Sequence, residues 1–415
     1  MNDLEDRLRE AINAAVAGAE PRPGVLSAVR RRHRRWLIRV TGAGAAAAAI
    51  VVAGVVVPLA LLSPGSRVAT ATGDGAGGPV TAYVVGEKGT VTPIRTATNT
   101  PLKTISDRGA DSLGIVLTPD GKTAYVLNDV LPPIVPSTVT PVRTATNTAL
   151  APIKVGAGAR HFAMAPDGKT LYVANVYSGT VTPIRTATNT TLRPIKVGRH
   201  PEGIAVTPDS KTVYVANYLA GTVTPIQAAT GKALKPIKVG GYPWAIAITP
   251  NGKTAYVATA YGVVPIATAT NTALPLIRAG RGALDVAITP NGSTAYALTA
   301  NGVTLIRTAT NTILPPVSVK QGSIDIAITP DSATAYVAGP AGEVIPISTA
   351  TGKAQAPIAA GKGARAIAIT PDGKTAYVTL FHGDFGTVIP IRTATNKVLP
   401  PIRVGQLPIA IAITR

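Results

Sequence analysis

Residues 366–378 read A-I-A-I-T-P-D-G-K-T-A-Y-V, and close variants of this stretch recur along the chain from Val80 onward. Each unit continues through a variable stretch to G-T-V-T-P-I-R-T-A-T-N-T and then P-I-K-V-G. Every apolar run is short, β-branched and bounded by Pro or Gly, which excludes helix. Periods of 40 to 47 residues with four such runs are typical of β-propeller blades. The tyrosines that mark the units are Tyr83, Tyr125, Tyr172, Tyr214, Tyr256, Tyr296, Tyr336 and Tyr377.

Within a unit, A-I-A-I is expected to form the innermost strand, followed outward by A-Y-V, T-V-T-P-I-R and P-I-K-V. The Pro-Asp-Gly between the first two strands is predicted to be a tight turn, because Asp bonds nearby backbone and Gly accepts a left-handed conformation. Calcium ligation is the alternative for these aspartates. Turn chemistry is favoured over calcium ligation, because two repeats have Asn251 and Asn291 in place of the aspartate and two have Ser210 and Ser332 in place of the glycine. The aspartates concerned are Asp120, Asp167, Asp209 and Asp372.

The two ends of the chain are out of phase with the repeat. The first unit starts at a second strand, Thr81-Ala82-Tyr83-Val84, and the chain stops at an innermost strand, Ala410-Ile411-Ala412-Ile413. The last strand is therefore predicted to complete the first blade and close the ring, which hides both sheet edges. The expected fold is all-β, a propeller of four-stranded blades over residues 80–415, with eight blades and seven as the alternative.

Two units carry a more specific signature. Tyr172-Val173-Ala174-Asn175 and Tyr214-Val215-Ala216-Asn217 are each followed by G-T-V-T-P-I. In these motifs the chain resembles the YVTN β-propeller repeat family over residues 80–415. The resemblance implies relatives among bacterial secreted propellers and surface-layer proteins, most of which have seven blades. It implies no particular activity, because propellers support many unrelated functions.

The N-terminal part is predicted to anchor the propeller to a membrane. Residues 40–62 contain no charge and are long enough to cross a bilayer as a helix. Arginines cluster just before them, between Arg30 and Arg39, which places the N-terminus in the cytoplasm and the propeller outside it. Residues 1–39 form a basic cytoplasmic segment with a short amphipathic helix, and residues 63–79 a flexible linker. The alternative is a cleaved signal peptide and a secreted protein.

The charge of the chain limits its partners. It carries a net charge of +20 and no cysteine, which excludes disulfides and cysteine-ligated metal or haem. A basic surface favours anionic partners, but no DNA- or RNA-binding module is present, so nucleic acid is not expected. The expected partners are an unknown protein or an anionic cell-envelope component, and the membrane through one helix. Basic residues recur on the third and outer strands, as at Arg95, Arg143, Arg185, Arg307, Arg392, Lys154, Lys196 and Lys238.

The repeats differ from one another in two connections, from the second strand to the third and from the outer strand to the next blade. In a four-stranded meander both lie at the same end, so the variable loops are predicted to share one face. Unusual residues concentrate there, which is typical of a binding face. The loops include Tyr177, Tyr218 and Tyr261, and the candidate site residues are Arg160, His161, Arg199, His200, Glu202, Tyr242, Trp244, Arg281, Asp285, Asp325, Arg365, Phe381 and His382.

Three functions remain open from the sequence. The first is a membrane-tethered, non-enzymatic binding scaffold without metal or cofactor. The second is a lactonase- or dehydrogenase-like enzyme near the channel mouth, in which Asp285 and Asp325 hold a cation or act as acid and base; pairing of these aspartates with Arg281 or Arg365 is favoured instead. The third is a transmembrane sensor with a cytoplasmic partner for residues 1–38. The histidines lack metal-binding spacing, and no nucleophile elbow or phosphate loop is present.

Overall fold

The structure is a computed structural model. It describes residues 49–52, 55–58, 79–107, 111–129, 135–280, 282–299, 302–315, 317, 319, 325–339, 341–381 and 386–415. From residue 79 onward the described residues form eight antiparallel sheets. Their innermost strands contact one another in sequence order, and the last returns to the first, so the sheets close into a ring. The prediction of an eight-bladed propeller is confirmed, and the seven-bladed alternative is wrong.

Each blade has the strand order that the repeat predicted. From blade 1 to blade 8, the innermost strands are Pro408–Ile413, Asp111–Leu117, Ala159–Met164, Pro201–Val206, Ala245–Ile248, Ala283–Ile288, Asp325–Ile328 and Ala364–Ile369. The second strands are Thr81–Gly86, Thr123–Asp129, Thr170–Asn175, Thr212–Asn217, Thr254–Thr259, Thr294–Thr299, Thr334–Ala338 and Thr375–Leu380. The third strands are Thr90–Arg95, Pro136–Arg143, Thr180–Arg185, Thr222–Gln227, Gly262–Ala267, Gly302–Arg307, Glu343–Ser348 and Gly386–Arg392.

The outer strands are short and several are interrupted, with both pieces pairing to the same third strand. Their pieces are Thr100–Pro101, Ile105–Ser106, Thr148–Ala149, Ile153–Ala157, Thr190–Thr191, Ile195–Lys196, Lys232–Ala233, Ile237–Lys238, Thr272–Ala273, Thr312–Ile313, Ile358–Ala359, Lys397–Val398 and Ile402–Val404. A 3-10 helix, Tyr218–Ala220, lies between the second and third strands of blade 4. The interruptions leave each outer edge too short to recruit another strand.

Blade 1 is assembled from both ends of the chain, as predicted. Ala82 pairs with Ile413 and Val84 with Ile411, so the last strand lies against the first. The backbone N–H of Thr81 donates to Oγ1 of Thr414 at 2.8 Å. Ile411 packs in the apolar core shared with blade 8. The ring is therefore closed by hydrogen bonds and by apolar burial together.

The turns between the first two strands of the blades have the role predicted for Pro-Asp-Gly, including blade 4, where the turn reads Pro208-Asp209-Ser210. In blade 4, Thr207 Oγ1 donates to Asp209 Oδ1 at 2.6 Å, and the N–H of Lys211 donates to the same oxygen at 3.0 Å. The hydrogen bond from Thr207 is the main reason that the pKa of Asp209 is lowered. The carboxylate of Asp209 accepts its hydrogen bonds from residues of its own turn, so the prediction of turn chemistry is confirmed.

The repeated tyrosine and asparagine form a latch between neighbouring blades. Tyr256 of blade 5 donates its hydroxyl to Oδ1 of Asn311 in blade 6 at 2.6 Å, and Tyr377 of blade 8 reaches Asn99 of blade 1 in the same way. These asparagines adopt positive φ angles, 56° at Asn311, which suits Asn at the tip of the turn. Burial raises the pKa of Tyr377 to about 12, which keeps the donor protonated. The latch ties adjacent blades together at their constant turns.

Two of the eight latches are missing, because Gly231 faces Tyr172 and Gly352 faces Tyr296, and repair of the second is expected to stabilise the protein. Gly352 occupies the asparagine position facing Tyr296, whose buried hydroxyl has no hydrogen-bond partner. Gly352 has a φ of 65°, and a Cβ there would meet only Leu305 at 3.4 Å. Gly352→Asn should raise the unfolding free energy by about 1 kcal/mol, measured in urea, because it supplies an acceptor and restricts the unfolded chain.

The matched control for this prediction is the tyrosine hydroxyl. Tyr296→Phe should be neutral in the natural chain and destabilising in the Gly352→Asn background, whereas Tyr256→Phe should destabilise the natural chain. Equal effects of Tyr296→Phe in the two backgrounds would contradict the latch.

The predicted membrane helix is not what the structure describes. Ala49–Val52 and Val55–Pro58 form a two-stranded antiparallel hairpin, with Val52 opposite Val55. The helix prediction is therefore wrong for these residues. The run is β-branched, and hydrophobicity alone does not separate strand from helix. The rest of residues 40–62, the predicted amphipathic helix within residues 1–39 and all but residue 79 of the linker lie outside the described residues.

Within the part of the chain that is described, no helix combines the length and the apolar character needed to cross a bilayer.

Candidate functional site

The variable loops share one face of the propeller, as predicted. In blade 4 the start of the innermost strand, Pro201, lies opposite the end of the second strand, Asn217, which in turn lies opposite Thr222 at the start of the third. Both variable connections therefore meet at this end, which we call the variable-loop face. The Pro-Asp-Gly turns and the T-A-T-N turns lie at the other end, the constant-loop face.

Three of the variable loops have the same backbone and different side chains. His200, Tyr242 and Leu407 each precede a proline and adopt φ angles of 58°, 52° and 51°. Two residues later the chain places Glu202, Trp244 and Ile409 respectively. The conformation is strained for residues other than glycine. Because blade 1 uses an aliphatic pair in this loop, the polar and aromatic pairs of blades 4 and 5 are not required by the scaffold.

Glu202 lies at the centre of the site. Its side chain is buried, with 1% of the residue exposed, between two histidines. Oε2 lies 3.3 Å from Nε2 of His161, and Oε1 lies 3.1 Å from Nδ1 of His200. These are ion-pair distances, but His200 Nδ1 and Glu202 Oε2 do not have the angles of hydrogen bonds. The carboxylate thus joins blades 3 and 4 through contacts that leave hydrogen-bonding capacity unused.

The surroundings of Glu202 keep it ionised. Burial alone raises the pKa of a carboxyl group, but the contacts of His161 and His200 and the charge of Arg160 outweigh burial and hold the pKa of Glu202 at about 2. The charge of Asp129 in blade 2 also acts on Arg160. A line of alternating charges therefore runs from blade 2 to blade 4.

Aromatic rings cover this charged centre in a continuous row. Ring centroids are 6.2 Å apart for Tyr177 and His200, 5.7 Å for His200 and Tyr218, and 5.3 Å for Tyr218 and Tyr242. Trp244 packs edge-on against Tyr218 at 5.4 Å and against His161 at 6.5 Å. The row crosses blades 3, 4 and 5.

The tyrosines at the rim of this row are accessible. Tyr177 is 46% exposed, Tyr242 51% and Tyr261 62%. Glycines provide the space for two of these rings, since a Cβ on Gly158 would lie 2.1 Å from Tyr177 and one on Gly241 2.8 Å from Tyr261. We call Arg160, His161, Tyr177, His200, Glu202, Tyr218, Tyr242, Trp244 and Tyr261 the aromatic site.

Several buried polar atoms of the aromatic site have no hydrogen-bond partner. They are Nε of Arg160, Nε1 of Trp244, Nδ1 of His200 and Oε2 of Glu202. The other end of the Arg160 side chain donates from Nη2 to the hydroxyl of Tyr177 at 3.4 Å. Buried polar groups in folded proteins are almost always satisfied, so this cluster of exceptions calls for a water molecule, an ion or a ligand at this place. The site offers both donors and an acceptor.

The remaining candidate residues do not join the aromatic site through any contact that the structure describes. Asp325 bonds the backbone, accepting from the N–H groups of Ile326 at 2.7 Å and Ile367 at 2.8 Å, and thereby links blades 7 and 8. Asp285 accepts from the N–H of Val286 at 2.8 Å. These bonds give both aspartates a structural role. Arg281 and His382 lie outside the described residues.

In blade 8 the guanidinium of Arg365 stacks 5.1 Å above the ring of Phe381. Burial lowers the pKa of Arg365. Arg199 is exposed beside the aromatic site. Among the described residues, no group of three or more histidines, cysteines and acids is arranged to hold a metal ion.

The sequence placed Tyr177, Tyr218 and Tyr261 in the variable loops but not among the candidate site residues, and it gave no role to Asp129. Tyr177 and Tyr218 lie just after the Y-V-A-N motif of their blades. The asparagines of this motif, Asn175 and Asn217, each donate to two threonine hydroxyls of the following strand and so fix the loops that carry the tyrosines. The Y-V-A-N motif was therefore the sequence feature that could have identified Tyr177 and Tyr218 as site residues.

Known proteins share the fold of this chain. Residues 171–266 match the model of the YNCE-like β-propeller family. No curated protein matches the chain. A hydrazine synthase structure from Kuenenia stuttgartiensis is 25% identical with a TM-score of 0.51, covering 61% of this chain and 88% of that one.

Two solved structures with lower sequence identity match more of the chain. Dihydro-heme d1 dehydrogenase NirN in complex with DHE is 16% identical with a TM-score of 0.69, covering 80% of this chain and 75% of that one. Apo AztD from Citrobacter koseri is 12% identical with a TM-score of 0.62, covering 80% and 97%. The YNCE-like match spans the loops of blades 3 to 5 that carry most of the aromatic site. The chain is an eight-bladed β-propeller, and its residues 171–266 are similar to the YNCE-like β-propeller family.

Proposed function

We propose that this protein is a membrane-tethered, extracytoplasmic binding protein that captures its ligand at the aromatic site without converting it. The observation that supports this most directly is the cluster of buried polar atoms without a hydrogen-bond partner at Arg160, Glu202 and Trp244 beside a row of aromatic rings. The aliphatic pair of blade 1 supports the same reading, because the scaffold alone does not call for charge in this loop. A few convergent polar groups beside aromatic side chains are typical of the lining of ligand-binding sites.

The chemistry of the aromatic site fits a ring-shaped ligand rich in hydroxyl groups, which we propose to be a saccharide of the cell envelope. A hydroxyl group both donates and accepts, so the same group type satisfies the carboxylate of Glu202 and the N–H groups of Arg160 and Trp244. Exposed tyrosine rings provide flat apolar surfaces against which the ring of such a ligand packs.

The membrane tether and the extracytoplasmic location rest on the sequence. Residues 40–62 lack charge and follow a cluster of arginines, the arrangement of a span with its N-terminus inside. Release by signal cleavage remains the alternative.

Ligand binding can be tested through the fluorescence of Trp244. The chain has two tryptophans, so Trp36→Phe leaves Trp244 as the single reporter. We expect a soluble panel of N-acetylglucosamine oligomers, muropeptides and polyol-phosphate oligomers to contain a saccharide that changes this fluorescence saturably. Tyr177→Ala with Tyr242→Ala should weaken that binding about tenfold or more, because each lost ring contact is worth about 1 kcal/mol.

The matched control is Phe381→Ala, which removes a ring from the same face in blade 8 and should leave binding unchanged. Both tyrosines are about half exposed, so their loss should not unfold the blades. No response to any member of the panel would refute the saccharide, and equal weakening by Phe381→Ala would refute the aromatic site as the place of binding.

A further inference from the structure

We infer that the constant-loop face of the propeller docks against an anionic lipid surface through an arc of arginines in four consecutive blades. This inference rests on the proposed tether, and it concerns the face opposite the aromatic site. The third strand ends at this face, and in blades 8, 1, 2 and 3 its last residue is an exposed arginine. We call these residues, Arg392, Arg95, Arg143 and Arg185, the arginine arc.

Arginine is the usual residue of the repeat at this position, and three blades lack it. The same position is Gln227 in blade 4, Ala267 in blade 5 and Ser348 in blade 7, and arginine returns only at Arg307 of blade 6. The four contiguous arginines therefore occupy one side of the ring. That side differs from the side of blades 4 and 5, which carry most of the aromatic row on the other face.

The acids of the constant-loop face do not neutralise the arc. Each turn aspartate that could oppose it lies beside a lysine of its own turn, as in the contacts of Asp120 with Lys122 at 3.7 Å and Asp372 with Lys374 at 3.8 Å. None of the four arginines takes part in an ion pair among the described residues. The arc thus retains positive charge that attracts lipid phosphates.

The chain enters the propeller in the middle of the arc. Thr81, the first residue of the second strand of blade 1, is paired directly with Arg95. The carbonyl of Val80 accepts from the N–H and the hydroxyl of Thr96 at 3.1 and 2.8 Å, which fixes the incoming chain to the turn that follows Arg95. A tether formed by residues 40–62 therefore leads to this face through about 17 intervening residues. Docking the arc on the lipid directs the aromatic site away from the membrane.

The absence of cysteine allows this to be tested in the full chain. Thr98→Cys lies in the exposed turn after Arg95, and Ala220→Cys lies in an exposed loop of the variable-loop face. Each variant is labelled with a polarity-sensitive NBD fluorophore and reconstituted with vesicles of phosphatidylcholine alone or with 30% phosphatidylglycerol. We expect a blue shift and protection from aqueous quencher at Thr98→Cys only, only with phosphatidylglycerol, and reversed by high salt.

Charge neutralisation supplies the second measurement. Replacing the four arc arginines by glutamine should abolish the Thr98→Cys shift and reduce the preference for phosphatidylglycerol vesicles about tenfold or more, since each basic residue near such a surface strengthens association about fivefold. The matched control changes the net charge equally on the outer strands, with Lys103, Lys154, Lys196 and Lys238 replaced by glutamine. It should retain both the shift and most of the preference.

The outcomes separate docking from the proposed tether. Resistance to carbonate extraction without a shift at Thr98→Cys refutes docking and leaves the tether, whereas a salt-reversible shift without carbonate resistance refutes the tether and leaves docking. If neither carbonate resistance nor the shift at Thr98→Cys is observed, both the tether and the docking are refuted. Equal losses in the arc and outer-strand variants refute the arc. If soluble polyphosphate suppresses the shift and binds the protein more tightly than the vesicles do, the arc binds a free phosphate polymer and the lipid surface is refuted.

Discussion

Glu202→Gln is expected to destabilise the propeller by about 3 kcal/mol at pH 7. The pKa of Glu202 is about 2 in the folded protein against 4.5 for a free glutamate side chain, and a difference of this size corresponds to about 3 kcal/mol in favour of the folded state. Glutamine keeps the shape of the side chain but removes the negative charge that lies between His161 and His200 and that acts on Arg160. Urea unfolding of the natural and variant chains at pH 7 measures the loss.

The same contribution should appear as an acid sensitivity. Because the pKa of Glu202 is lower in the folded state than in the unfolded state, its stabilisation is fully present above about pH 4.5 and is lost as the pH falls towards 2. Between pH 5 and pH 2, the unfolding free energy of the natural chain should fall by about 3 kcal/mol more than that of Glu202→Gln. Parallel pH profiles would show that Glu202 does not have this role.

Blade 1 supplies a control for this variant. Replacing His200 by leucine and Glu202 by isoleucine copies the pair at Leu407 and Ile409 into blade 4. Exchanging a buried ion pair for well-packed apolar side chains is often neutral, whereas removing one partner is costly. His161 and Arg160 still lose their partner, so the double variant should recover only the part of the stability that Glu202→Gln loses at His200. The double variant should also lose saccharide binding, which would show that His200 and Glu202 are required for binding and not for folding.

The fold followed from the sequence because each blade repeats one local pattern. Four short β-branched runs per period, turns with Asp and Gly, and a tyrosine such as Tyr256 in every unit specify strands, turns and blade interfaces independently of the rest. The two half-blades at Tyr83 and Ile411 likewise specified ring closure. By contrast, the Val-rich run within residues 40–62 has no turn or period that separates a helix from a hairpin, and there the helix prediction failed for the described residues.

The candidate site could be predicted only in outline. Comparison of the repeats located the variable-loop face, but not which side chains on it meet. The starts of the innermost strands are irregular, with register shifts between Ala159 and His161 and between Pro201 and Ile204. A bulge changes the side of the sheet to which a residue points, so alternation along the strand does not reveal that His161 meets Glu202 while Asp325 turns to the backbone.

Deleting residues 406–415 is expected to prevent the propeller from folding into a closed ring. These residues supply the innermost strand of blade 1, and without it Thr81–Gly86 becomes an open edge. Ile409, Ala410 and Ile411 would also leave the apolar cores that join blade 1 to blades 2 and 8. Burial of large aliphatic side chains contributes about 2 kcal/mol each, so the loss is comparable with the whole stability of an ordinary domain. Soluble yield and cooperative thermal unfolding measure it.

A permuted chain distinguishes the missing strand from simple intolerance to truncation. Moving residues 406–414 in front of Val80, joined by a Pro-Asp-Gly turn in which Val80 takes the place that Lys374 has in blade 8, rebuilds blade 1 as a continuous unit, and the chain then ends at Gly405. Because the strand keeps its place beside Thr81–Gly86, the permuted propeller should fold cooperatively without residues 1–79, with a melting temperature close to that of the natural chain. If the truncated chain melted cooperatively at the natural temperature, closure through the last strand would not be what holds the ring together.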